Sequence, residues 1–163
     1  MSVLVHVVAI GTGATLVMDI WGLARGPLLG MPRPDHRLLG RWVAHLPRGI
    51  VIHRPIAATP AVRGEHALGW AVHYTIGVSF AALLVALVGR EWLAVPQPVP
   101  ALAVGIATVL APLAIMQPAF GAGFAGRLTL RPWQTRLQSL LTHTIYGVGL
   151  YLSALVLAHL APS

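Results

Sequence analysis

Three apolar runs of this sequence hold side chains that lipid ordinarily excludes. His73 stands nine residues inside the run Gly64 to Gly89 (GEHALGWAVHYTIGVSFAALLVALVG), which opens with Glu65 and His66. His143 stands six residues inside the run that starts at Leu137, and Asp19 five residues before the end of the run that closes at Ala24. Ionisable groups in a bilayer are costly, so they face a bundle interior and mark sites. Imidazole with carboxylate, without thiolate, is a ligand set for Zn, Fe, Mn or Cu(II). His73 and His143 from two facing helices could instead be the axial ligands of a haem b. Histidine with Asp19 is also a means of moving a proton or cation.

The elements that position these residues are apolar helices. The chain has 163 residues, 56% hydrophobic and 9% charged, and its mean hydropathy is +0.77. A soluble domain carries roughly 25% charged residues. The spacing predicts an all-α, polytopic membrane protein, a single four-helix bundle spanning about 3–24, 64–89, 99–120 and 137–160. There is no cysteine and no lysine, which excludes disulfides, thiolate sites, cysteine nucleophiles and a lysine Schiff base. The net charge of +7 comes from arginines in loops between the apolar runs, so its expected partners are anionic lipid headgroups rather than nucleic acid.

Between the first two spans lies a loop, Arg25 to Arg63, with seven of the eleven arginines. Gly26, Pro27, Gly30, Pro32 and Pro34 are expected to break regular structure at its start. HRLLGRWVAHL (36–46) reads as an amphipathic helix in the headgroup plane, with Leu38, Leu39, Trp42, Val43 and Leu46 on its apolar face and Arg37 and Arg41 opposite. Residues 50–61, with Pro55 and Pro60, read as extended or re-entrant. Basic short loops stay in the cytoplasm. Ten of the eleven arginines fall in the loops at 25–63 and 121–136, which places both loops inside and both termini in the periplasm of a bacterial inner membrane.

Depth then brings the polar groups together. Asp19, His66, His73, Gln117 and His143 fall within roughly 3 to 14 Å of the cytoplasmic surface at 1.5 Å per helical residue. In the first span Thr12, Thr15, Asp19 and Gly22 share one face, as do His66, Trp70, His73 and Gly77 in the second and Ser139, His143 and Gly147 in the fourth. Glu65, His45 and His53 could cap the layer from the loop. The expected ligands are Asp19, His45, His53, Glu65, His73 and His143, with His66, Tyr74 and Gln117 in support. Simpler readings are a hydrogen bond or an Arg25 ion pair for Asp19, and interfacial positions for His6, His36 and His159. Arg37, Arg41, Arg127, Arg131 and Arg136 are expected at lipid or other anions.

Two spellings carry less than they suggest. GAGFAG (121–126) fits the dinucleotide pattern, but that motif needs a strand before it and a helix after it. It reads as a flexible exit from the third span. Ser139 lies one turn from His143 without a third group for a hydrolase triad.

The words GRWVAHLPRGIVIHRPI, GEHALGWAVHYTIGVSFA, MQPAFGAGFAGR and SLLTHTIYGVGLYL, in that order, resemble the bacterial membrane family called domain of unknown function 2938. The resemblance covers nearly the whole chain. It implies a small polytopic inner-membrane protein and supplies no activity. Its words contain Arg41, His45, His53, Glu65, His73, Tyr74, Gln117 and His143, which overlap the layer. The function expected is a metal or haem site serving redox or metal-assisted chemistry. The alternatives are a small proton- or cation-coupled transporter acting as a homo-oligomer, and an accessory membrane protein without a site.

Overall fold

The computed structural model describes residues 2–160, and these are helical with no strand among them. Four helices are long and apolar enough to cross a membrane: α1 (Val3–Leu29), α3 (Glu65–Val88), α4 (Pro98–Ala119) and α5 (Pro132–Leu160). A short helix, α2 (His36–His45), stands between the first two.

The helix ends follow from local chemistry. The Ser2 hydroxyl caps α1 by accepting from the Val5 N–H. The helix does not break at Gly26 and Pro27, as composition suggests, but continues to Leu29. Proline in a final turn removes a single intrahelical hydrogen bond. Gly30, at φ 64°, then closes the end by donating to the Arg25 and Gly26 carbonyls. The Arg25 guanidinium donates to the Pro32 carbonyl at 2.7 Å, tying the next segment to the same turn. Asp35 caps α2 by accepting from the Arg37 N–H. α5 starts five residues earlier than the apolar run, at Pro132, whose fixed φ suits a first helical position. Pro112 shapes α4 as expected: residues Ala111–Met116 form a π-helical stretch in which the Gln117 N–H reaches the Pro112 carbonyl.

The chain forms two compact units, and α3, α4 and α5 each contribute to both. The first comprises the described residues through Arg33 with 74–108 and 142 onward. Its core is apolar: Ile10, Ala14, Leu84, Ala101, Tyr146 and Leu150 are almost wholly buried, and the Tyr146 hydroxyl donates to the Gly77 carbonyl at 2.6 Å. Small residues bring backbones into direct contact. Gly11 lies on the backbone of Val78, and Gly105 on Gly147 and the His143 carbonyl. Such contacts supply helix association where lipid gives no hydrophobic drive between helices. Thr15 and Gly22 are buried as their shared face predicts, whereas Thr12, at the edge of that face, is exposed. The outer faces carry many exposed apolar side chains, among them Leu4, Leu16, Ile20, Leu23, Leu83, Leu87, Leu152 and Val156.

The second unit comprises 34–73 and 109–141. In it α2 packs on the first two turns of α3 through Gly40 and Gly69. A Cβ on Gly40 would meet the Glu65 carbonyl, and one on Gly69 the His36 carbonyl. Residues 50–61 are neither strand nor span. They are irregular, with a single 3-10 turn at Ile56–Ala58, and bond to the end of α4 through His53 N–H to the Ala119 carbonyl (2.8 Å) and Ile56 N–H to the Phe120 carbonyl (3.1 Å). The 121–126 run is a tight turn. Gly121, Gly123 and Gly126 have positive φ, and a Cβ on Gly121 would run into the His53 carbonyl at 2.5 Å.

Candidate functional site

Polar side chains of the second unit gather around α2. Arg41 sits in the middle of this helix, one turn before its end. Its Nε and one terminal nitrogen bind the Glu65 carboxylate at 2.8 and 2.7 Å, and the other reaches the Thr59 carbonyl at 2.8 Å. That pair is nearly dry, with side-chain exposures of 11% and 10%. Glu65 also accepts from the Val62 N–H at 2.9 Å. The structure thus pairs Arg41 with a protein carboxylate and Glu65 with an arginine. The amphipathic reading placed Arg41 opposite the buried face. Gly40 instead seats that flank of α2 against α3, so the guanidinium turns inward to the one buried acid.

His45 and His53 lie side by side in the same unit, with ring centres 5.3 Å apart and planes at 83°. Both are buried. His45 Nδ1 is 2.8 Å from the Arg41 carbonyl, so it must be the donor there. His53 Nδ1 is 2.9 Å from the Thr59 hydroxyl, and its Nε2 is buried without a hydrogen-bond partner. Burial, and secondarily the neighbouring His45, hold the His53 pKa below its ordinary value. An unfolded chain therefore takes up this proton at higher pH than the folded one, and acidification favours unfolding. The thermal transition of the detergent-solubilised protein should fall as pH drops below about 6.5. His53→Gln should flatten that dependence, measured by circular dichroism melts at pH 5 and pH 7.5.

A second cluster involves His36, the first residue of α2. Its ring lies 4.3 Å from that of His73 and 4.2 Å from that of Trp70. His36 and His73 each offer a ring nitrogen within 4.8 Å of the other's. His66, one turn earlier on α3, is exposed and accepts from the Trp70 indole at 3.2 Å. Sequence reasoning set His36 aside as interfacial. The signal that would have found it is the pair of small residues, Gly40 and Gly69, that lets α2 lie close against α3.

In the first unit, the Tyr74 hydroxyl donates to the Asp19 carboxylate at 3.0 Å. Tyr74 directly follows His73 on α3. Arg25 bonds instead to the Pro32 carbonyl. His143 pairs with Thr108, Nδ1 to Oγ1 at 2.9 Å. Thr108 spends its own proton on the Gly105 carbonyl at 2.6 Å, so His143 Nδ1 is the donor and its tautomer is set. In the second unit Gln117 donates to Ser139 at 3.1 Å. The sequence placed Gln117 and His143 at one depth and Ser139 on the face of His143, but missed the hydroxyls that meet the histidines, Thr108 and Thr59. Among the basic residues, Arg37 binds Asp35, Arg136 donates to the Ala125 carbonyl at 2.9 Å, Arg131 lies 3.5 Å from the Gln134 side chain, and Arg127 is exposed.

Four candidate membrane-crossing helices, together with histidines held by backbone carbonyls and hydroxyls, suggest a helical membrane protein with a possible histidine and carboxylate site. The chain belongs to the family described as "Protein of unknown function (DUF2938)", whose model matches residues 8–157. No curated protein and no solved structure matches it.

Proposed function

We propose that this is an integral protein of a bacterial inner membrane that binds a transition-metal ion through His36 and His73. The observation that carries the reading is the pairing of two imidazoles from α2 and α3, each offering a ring nitrogen within 4.8 Å of the other's. Imidazole nitrogen is a preferred ligand of Zn, Cu, Fe and Ni. Such a pair supports metal-assisted or redox chemistry on a lipophilic substrate. The arginine count puts α2 and its loop on the cytoplasmic side.

Elemental analysis of the full chain, purified gently in detergent, tests this. The wild type should carry close to one equivalent of one transition metal above its other sites, and His36→Ala with His73→Ala should lose it. A Soret band would replace the ion with haem. Metal content unchanged in the double variant would refute the assignment.

A further inference from the structure

We propose that His45 and His53 form a separate buried site for a divalent transition-metal ion of the zinc class. It shares no residue with the His36–His73 site and does not depend on it.

The pair has the features of a metal site before the metal arrives. Two imidazoles on one tetrahedral ion, with metal–nitrogen bonds of about 2.0–2.1 Å, hold their ring centres roughly 5 Å apart. The ring centres of His45 and His53 are 5.3 Å apart. Each Nδ1 is already engaged as metal-bound histidines typically are, by the Arg41 carbonyl and by the Thr59 hydroxyl respectively. Donation from Nδ1 leaves the neutral His45 ring with its lone pair on Nε2. His53 Nε2 is buried without a hydrogen-bond partner in a residue only 5% exposed. An orphaned buried polar atom is costly, and an ion bound there removes that cost.

The surroundings tolerate a cation. Arg41, whose carbonyl His45 engages, has its charge neutralised by Glu65 at 2.7 Å. Thr59 serves both groups, its carbonyl accepting from Arg41 and its hydroxyl meeting His53. The ion pair is thus the frame that holds the loop, and with it His53, against the end of α2. Two protein ligands leave further coordination positions for water or a substrate group.

The test uses the full chain in detergent, stripped by chelator and titrated with Co2+, with Zn2+ as competitor. The expected result is one equivalent of Co2+ with the intense visible bands of a near-tetrahedral N/O site, displaced by Zn2+. His45→Gln and His53→Gln should each abolish it. Thr59→Val, which keeps the side-chain volume but frees His53 Nδ1, should weaken it by about 10–100-fold. His36→Gln with His73→Gln should leave these bands in place. Bands absent from the wild type, or bands that survive His45→Gln and His53→Gln, would overturn the proposal. Should those two variants fail to fold, an unchanged Co2+ affinity in Thr59→Val overturns it. Loss of bands in the His36/His73 variant alone would support the first site and overturn this one.

Discussion

Arg41→Ala should destabilise the protein by about 3–5 kcal/mol, the cost of stranding one partner of a buried ion pair. The substitution leaves the Glu65 carboxylate, 10% exposed, with only the Val62 N–H, and leaves the Thr59 carbonyl without its charged donor. Arg41→Lys should recover little of the loss. Glu65 is gripped by two nitrogens of a planar fork while a third nitrogen reaches the loop, and an ammonium cannot copy that geometry. The double variant Arg41→Ala with Glu65→Ala should be more stable than the sum of the single losses predicts, because no charge is then stranded. Thermal melts in detergent, followed by helix content, measure all three. A shift of only a degree or two in Arg41→Ala would mean that the pair is not closed in the folded protein.

The second large effect lies in the apolar unit. Gly105→Val should separate α4 from α5, because a Cβ there meets the Gly147 backbone and the His143 carbonyl at 3.0 Å. Neither obstacle is the flexible end of a side chain, so overpacking of about 1–3 kcal/mol is a lower bound. The consequence reaches the site chemistry. Thr108 is one turn from Gly105, and His143 one turn from Gly147, so parting the helices breaks the 2.9 Å Thr108–His143 bond. The variant should therefore lose both stability and the fixed tautomer of His143, read from imidazole nitrogen chemical shifts. Gly147→Val should behave alike, since a Cβ there meets the Ala101 carbonyl at 3.0 Å. Thr108→Val should free the tautomer with a far smaller loss of stability.

Span number was legible because apolar length is a one-dimensional signal. α3 differs from its apolar run by one residue at each end, and α2 opens at its expected first residue. The kinked third span could be read from Pro112, and the face Ser139–His143–Gly147 from steps of four. What could not be read was pairing. Arg41 and Glu65 are 24 residues apart, and nothing in their spacing says that a helix will turn its arginine inward. His36 is undistinguished until Gly40 and Gly69 are known to touch. The end of α1 was misjudged for a different reason. Gly26 and Pro27 are helix breakers by propensity, and propensity yields where a left-handed Gly30 and the Arg25–Pro32 bond complete the final turn.

The central proposal is that histidines, not adventitious surface groups, hold a metal in this protein. X-ray absorption on the purified full chain with its native metal tests that claim most directly. The account predicts first-shell N/O scattering at about 2.0–2.1 Å with the outer-shell pattern of at least two imidazoles, diminished in His36→Ala with His73→Ala. An oxygen-only shell without imidazole scattering, or a spectrum unchanged in that variant, would contradict it.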